Sequence, residues 1–138
     1  MLEIYYRIWV SLFIKARFAQ KGDINLSLFF SLMALTVTNF INVLLVLTIL
    51  SLSGIKINIF QVLPENGIIQ ITTICLAFLI PNYLLLIHNK KYQVLLNRYE
   101  NINDKNMGMR YFLLSNIAFL ILIILTIIFP DFFGLTKN

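Results

Sequence analysis

The sequence predicts an all-α integral membrane protein: a three-helix bundle with an N-terminal amphipathic interfacial helix and a cytoplasmic helical extension between the second and third spans. The composition is 59% hydrophobic and only 12% charged, whereas soluble domains are about 45–50% apolar and about 25% charged. Residues 24–52 carry no charged residue. Two further apolar stretches follow at 68–88 and 111–130, so the whole chain is expected to form a single membrane domain.

The stretch 24–52 is the element around which we expect the others to be arranged. A helix rises 1.5 Å per residue, and about 20 apolar residues cross the hydrocarbon core. This run is longer, so it predicts a first transmembrane helix with a turn or two to spare. Gly22-Asp23 is expected to end the helix that precedes this run. Asp23 or Asn25 is expected to cap the start of the run, and Ser53-Gly54 to end it.

Residues 1–22 predict the interfacial helix. Glu3 and Arg7 interrupt its start and the apolar run that follows is short, which argues against a cleaved signal peptide. Aromatic rings combined with Lys and Arg suit a helix that lies at headgroup depth near anionic lipid. A tilted or re-entrant insertion is the alternative.

The rest of the chain is divided by its turn residues and charges. We expect an external loop at 53–67, a second span at 68–88, a cytoplasmic helix and loop at 89–110, a third span at 111–130 and an external tail at 131–138. Pro81 is expected to kink the second span, with Asn82 satisfying a backbone group that the proline frees. The cytoplasmic helix is either a separate element or a continuation of the second span.

Lys and Arg residues predict the orientation. They are concentrated in 1–22 and 88–110, while the 53–67 loop and the tail hold one lysine each. Because cytoplasmic segments are enriched in these residues, the amino terminus is expected inside and the carboxyl terminus outside. Abundant Ile, Asn, Lys and Phe indicate an AT-rich genome, so we expect the inner membrane of a bacterium.

The predicted spans lack the residues that usually carry chemistry in membranes. None contains Asp, Glu, Lys or Arg, which argues against a proton-coupled transporter. His88 is the only histidine and Cys75 the only cysteine, so there is no metal-ligand spacing. As a catalytic base His88 would need a partner, for which only Glu100 or Asp104 lies in a plausible neighbouring segment. We expect no enzyme, no metal and no cofactor. Nucleic acid is not expected as a partner either, because the basic residues flank membrane segments.

Each predicted span carries a stripe of small and polar residues on one helix face. In lipid, helices associate through close packing at small residues and through interhelical hydrogen bonds. The stripes therefore either face one another inside one bundle, or line a narrow polar path in a homo-oligomer with closed symmetry. The first-span stripe is Ser27, Ser31, Ala34, Thr38, Asn39 and Asn42. The second-span stripe is Gln70, Thr73, Ala77 and Pro81, and a weaker third comprises Ser115, Ala118, Leu122 and Thr126.

Aromatic and basic residues on the cytoplasmic side form a predicted platform. It is expected to contact anionic lipid headgroups, or alternatively to dock a soluble cytoplasmic partner or activator. The residues of this basic platform are Arg7, Trp9, Lys15, Arg17, Lys90, Lys91, Tyr92, Arg98 and Tyr99.

Two functions from different classes fit these features. The first is a non-enzymatic, channel-like or membrane-disrupting effector that acts as a homo-oligomer and is triggered by a cytoplasmic partner. In its small size, its polar first helix and its platform, the chain is similar to small multi-pass proteins of bacterial antiviral and toxin modules. The second is a structural or accessory subunit of a larger membrane complex.

Overall fold

The computed structural model describes residues 2–52, 66–99, 101 and 106–128 of the chain. Within that part, 93% of the residues are helical and none is in a strand. The helices are α1 (Leu2–Ala19), α2 (Ile24–Leu52), α3 (Gly67–Leu86), α4 (Lys91–Tyr99) and α5 (Met107–Ile128), with a 3₁₀ turn at His88–Lys90. The predicted stop at Ser53-Gly54, nearly all of the 53–67 loop and the whole 131–138 tail lie outside the described residues.

Three of these helices can cross a membrane. α2, α3 and α5 are long and apolar enough to do so, which confirms a multi-pass membrane protein. The all-helical fold class is confirmed as well.

The turn between α1 and α2 forms as the sequence predicts. Lys21 and Gly22 adopt left-handed backbone angles, with φ of 51° and 90°, and the Gly22 N–H donates to the carbonyl of Arg17 at 2.9 Å. The Asp23 carboxylate then accepts the Leu26 N–H at 3.0 Å. Asp23 is therefore the N-cap of α2 and satisfies one of its unpaired donors.

α3 and α4 are separate helices. α3 continues through Pro81 to Leu86, and the chain then breaks at Asn89 and Lys90, whose φ values are 56° and 58°. Left-handed backbone at two successive residues ends an α-helix. α4 is therefore not a continuation of the second span.

α1 packs antiparallel along the first half of α2, and its middle is enclosed by protein. Six consecutive residues, Ile8 to Phe13, are buried, because α2, α4 and α5 all contact this helix. Trp9 and Phe13 pack together with ring centroids 5.8 Å apart. The centre of α1 thus belongs to the core, and its charged residues lie towards its two ends.

The three spans are joined mainly at one end. α2 contacts α1, α3 and α5, while α3 and α5 make at most marginal contact with each other. The buried residues of α3 are Asn82 and Leu86, and those of α5 are Gly108 and Ser115. The spans therefore share a core near α1 and do not enclose one along their full length.

A glycine permits the closest approach between α1 and α5. A Cβ atom at Gly108 would lie 2.5 Å from the backbone oxygen of Ile8 and 2.9 Å from the backbone nitrogen of Leu12. The Gly108 N–H also donates to Ser11 Oγ at 3.0 Å. α5 thus begins against α1, and Ser11 satisfies a donor that has no partner within its own helix.

Candidate functional site

Six polar side chains from four helices form one continuous hydrogen-bonded cluster, which we call the polar network. α1 supplies Tyr5, α3 supplies Asn82 and α5 supplies Tyr111. The remaining three, Thr36, Asn39 and Asn42, come from α2. It is located where the spans meet α1.

The first part of the polar network joins α2 to α5. The side-chain amide of Asn42 donates to the Tyr111 hydroxyl at 2.7 Å. That hydroxyl donates in turn to the side-chain oxygen of Asn39 at 3.2 Å. Tyr111 therefore both accepts and donates, which is the full use of a phenol.

The second part joins α2 to α1 and α3. The Asn39 amide donates to the Tyr5 hydroxyl at 2.9 Å, with a longer contact of 3.4 Å to Asn82 Oδ1. The Tyr5 hydroxyl donates to Asn82 Oδ1. The Asn82 amide then donates to Thr36 Oγ1 at 3.0 Å, in a fully buried contact. Each residue consequently donates to the next, in the order Asn42, Tyr111, Asn39, Tyr5, Asn82 and Thr36.

Burial favours the protonated form of the Tyr5 phenol, which the hydrogen bond to Asn82 requires. Burial raises the pKa of the Tyr5 phenol, and the hydrogen bond from Asn39 lowers it by less. The phenol is therefore neutral at physiological pH and retains the proton that it donates to Asn82. Hydrogen bonds that form a chain in a low-dielectric setting also strengthen one another.

Most of the first-span stripe faces the interior of this molecule. Ser27, Ser31 and Thr38 are buried, and their hydroxyls donate to carbonyls of the preceding turn. Ala34 is half-buried. Asn39 and Asn42 belong to the polar network. The small side chains thus allow α1 to approach α2, and the two amides bond to α1, α3 and α5.

The second-span stripe does not pack against the other described helices. Thr73, Ala77 and Pro81 are exposed and Gln70 is half-buried. The Thr73 hydroxyl donates to Ile69 of its own helix at 2.8 Å. In the third-span stripe, Ser115 is buried, Ala118 is exposed, and Leu122 and Thr126 are half-buried.

The residues of the basic platform are brought together only in part. α1 and α4 are in contact, so its two halves lie at the same end of the molecule. Arg7 forms an ion pair with Glu3 at 2.9 Å and lies 5.9 Å from the ring centre of Tyr99. Arg98 lies 5.4 Å from the same ring. Lys15, Arg17, Lys90, Lys91 and Arg98 are exposed, and Tyr92 is half-buried.

Two aromatic residues of the predicted platform are not on the surface. Trp9 is 0% exposed and Tyr99 is 7% exposed, because both belong to the core between α1 and its neighbours. The Trp9 Nε1 has no hydrogen-bond partner. An interfacial tryptophan would instead place this nitrogen near headgroups or water.

Between α1 and α4 lies a cleft of about 220 Å³. It is smaller than the roughly 300–1,000 Å³ of typical ligand pockets. Among the residues that the structure describes, no group of three or more His, Cys, Asp and Glu side chains is close enough to hold a metal ion. The cleft is lined by Phe13, Arg17, Ile24, Tyr92, Gln93, Leu96 and Asn97.

Sequence reasoning missed the partners of the first-span asparagines. It expected Asn82 to compensate for Pro81, whereas the bonds of Asn82 go to Tyr5 and Thr36. One signal was available. Asn39 lies about 20 Å before the end of α2, and Asn82 lies about 20 Å after the start of α3. Because α2 and α3 are adjacent antiparallel spans, the two residues are at the same depth. Nothing in the sequence pattern indicates that Tyr5 reaches this depth.

Comparison of the chain with protein-family models, with curated proteins and with solved structures finds no match. The functional argument therefore rests on the polar network and on the surfaces around it.

Proposed function

We propose that this protein is a non-enzymatic membrane effector of the bacterial inner membrane, which acts as a homo-oligomer and forms a polar path when a cytoplasmic partner releases α1. In this proposal the structure is the resting state. The amino terminus is cytoplasmic, and the exposed cations of the basic platform contact anionic headgroups or the partner.

The observation that carries the proposal is the composition of the polar network. It ties α1, which is not one of the candidate spans, to all three spans through uncharged hydrogen bonds alone. Interhelical bonds of this kind are worth about 0.5–2 kcal/mol each in membranes. The bonds made by Tyr5 therefore sum to a few kcal/mol. Release of α1 must also offset the burial of Ile8 to Phe13, at about 1.5–3 kcal/mol for each large apolar side chain, so the partner has to bind the uncovered face of α1 itself.

Release of α1 would expose polar side chains of α2. Asn39 would lose its bond to Tyr5, and the buried hydroxyls beneath α1 would be uncovered. Several copies of α2 arranged around an axis would then line a narrow path with amide and hydroxyl groups and without fixed charge. Three spans are too few to enclose such a path alone, so a closed homo-oligomer is required.

The test compares variants that weaken the same network in different ways. Tyr5→Phe removes a phenol of α1 and leaves the amides of α2 in place, so it should increase membrane depolarisation when the protein is overexpressed. Asn39→Leu and Asn42→Leu weaken the network too, but they remove the polar lining and should abolish depolarisation while insertion persists. Tyr6→Phe is the matched control, because Tyr6 is a half-buried neighbour outside the polar network.

Opposite effects of Tyr5→Phe and Asn39→Leu are the result that the effector requires. If the two variants change depolarisation in the same direction, the network has only a structural role. If the protein depolarises no membrane at any expression level, the proposal that it is a membrane effector is wrong.

The second candidate is an accessory subunit of a larger membrane complex. It is favoured by the exposure of the second-span stripe and by the marginal contact between α3 and α5, which leaves most of both helices unpartnered within this chain. Small residues on an open helix face are where another span packs closely. Purification in a mild detergent would then yield a defined complex with a different protein, and Ala77→Leu would dissociate it.

A further inference from the structure

An exposed ion pair and a second arginine surround one buried ring near the amino-terminal end of α1. The paired side chains of Arg7 and Glu3 are 46% and 57% exposed. The guanidinium of Arg7 lies 5.9 Å from the ring centre of Tyr99. That of Arg98, which is also exposed, lies 5.4 Å from the same centre. α1 and α4 thus present charge at one place on the surface, and we call Glu3, Arg7 and Arg98 the charged cluster.

The start of α5 marks the edge of the hydrocarbon core. The sequence has 20 uncharged residues between Arg110 and Asp131, and a helix of that length is just sufficient for a core of about 30 Å. Arg110 must therefore lie at the edge of the core, because charge within it is costly. The Gly108 N–H, two residues earlier, donates to Ser11, so Ser11 lies at this edge as well.

α1 runs from Ser11 towards the interior of the membrane. The Tyr5 hydroxyl accepts from Asn39, which is near the middle of α2. Glu3 is eight residues from Ser11, or about 12 Å further along α1. Arg7 Nη2 lies 2.9 Å from Glu3 Oε1, so its guanidinium is directed inwards, away from the headgroups. The ion pair is therefore located inside the edge that α5 defines.

We infer that a water-filled recess extends from the membrane surface to the charged cluster, along the side formed by α1 and α4. Lipid chains would leave the exposed ion pair without hydration, which is costly. Ionisable groups at such a depth face either protein or a water-filled cavity, and the described residues of this chain leave the cluster exposed. Arg7 and Arg98 then contact water, while Lys15 and Arg17 remain at the headgroups.

The cleft between α1 and α4 lies at the mouth of this recess. Arg17 is six residues from Ser11, about 9 Å along α1 in the direction away from Glu3. Gln93 and Asn97 line the same cleft from α4. They are four residues apart, so they lie on one face of that helix. Polar side chains therefore lead from the headgroups to the charged cluster.

The recess requires only that the three spans cross a membrane. It does not depend on depolarisation or on a homo-oligomer, so failure of the effector proposal would leave it standing. If the effector proposal holds, the recess brings water to within one turn of Tyr5, the residue through which α1 joins the polar network. The polar path then has to open only between the network and the far ends of the spans.

The test uses nitroxide labels on single cysteines of the full chain in liposomes, in a Cys75→Ser background that holds no other cysteine. Glu3→Cys and Arg98→Cys place labels in the recess, and the second leaves the ion pair intact. Val37→Cys is the matched control. Val37 is two residues before Asn39 and therefore at a similar depth, but it lies on the opposite side of α2 and is 44% exposed.

Relaxation by a water-soluble nickel complex and by oxygen identifies what covers each label. The nickel complex should reach the two recess labels several-fold more readily than the Val37→Cys label, which oxygen should reach preferentially. High oxygen and low nickel accessibility at Glu3→Cys and Arg98→Cys would show that lipid chains cover the cluster. Low accessibility to both probes would show that protein covers it. Equal nickel accessibility at all three positions would place the whole level outside the hydrocarbon. Each of these three results overturns the inference.

Discussion

The hydroxyl of Tyr5 donates a hydrogen bond to the side-chain oxygen of Asn82, 77 residues further along the chain. The bond connects the first helix to the second of the three spans, and the same oxygen is approached by the amide of Asn39 at 3.4 Å. Three helices thus converge on one carbonyl group. α1 is therefore bonded directly to two of the three helices that can cross a membrane.

The Tyr5 hydroxyl should contribute measurably to stability. Tyr5→Phe leaves Asn82 and Asn39 short of a partner, so the free energy of unfolding should fall by about 1–2 kcal/mol. Unfolding by SDS in mixed micelles measures it. A double-mutant cycle with Asn82→Leu should give a coupling energy of about 1 kcal/mol, while Tyr6→Phe should change stability by less than about 0.5 kcal/mol. Additive effects of Tyr5→Phe and Asn82→Leu would mean that the bond is not formed.

Gly108 should tolerate no side chain. Gly108→Ala places a methyl group against the backbone of Ile8 and Leu12, so either α1 or α5 must move, at a cost of about 1–3 kcal/mol. Gly67→Ala is the matched control, because Gly67 also begins a span and a Cβ there meets nothing within 4 Å. The same SDS titration applies. Equal stability of the two variants would contradict the close approach of α1 and α5.

Substitution of Ser11 should lower the stability of the protein more than substitution of an equally buried serine elsewhere. Ser11→Ala leaves the Gly108 N–H buried without its acceptor, which costs about 1–3 kcal/mol. Ser31 is also 1% exposed, but its hydroxyl bonds only to Leu28 of its own helix, so Ser31→Ala should have a much smaller effect. Hydrogen exchange at Gly108 should accelerate in Ser11→Ala and remain slow in Ser31→Ala; the reverse order would exclude the contact.

Trp9 should report on the position of α1. It is the only tryptophan and has no exposed surface, so its fluorescence should resist quenching by acrylamide and by brominated lipid alike. A tryptophan moved to the surface, in Trp9→Phe with Phe18→Trp, should be quenched readily, since Phe18 is 90% exposed. Strong quenching of Trp9 by brominated lipid would instead place α1 at the membrane interface.

The helices could be predicted because each depends on local signals. The uncharged run of α2, the turn at Gly22 and the cap at Asp23 all follow from adjacent residues, and the structure has them where they were expected. The break at Asn89 and Lys90 is less predictable, because neither residue requires left-handed backbone angles.

The packing could be predicted only in part, because an amphipathic pattern does not say what lies against each face. The small residues of α2 indicated a close helix contact, and Ser27, Ser31 and Thr38 are indeed buried. The sequence did not reveal that the contact is with α1. Trp9 has the chemistry of an interfacial residue, yet it is buried because α4 and α5 close over α1, and that depends on residues about 100 positions away.

The contact between Ser11 and Gly108 also has a consequence for how the protein is made. The two residues are 97 positions apart, and ribosomes add about 5–20 residues per second. α1 therefore emerges roughly 5–20 s before the helix that completes its burial exists. For that interval its apolar side chains must be covered by the bilayer surface or by the insertion machinery, until α5 has been synthesised.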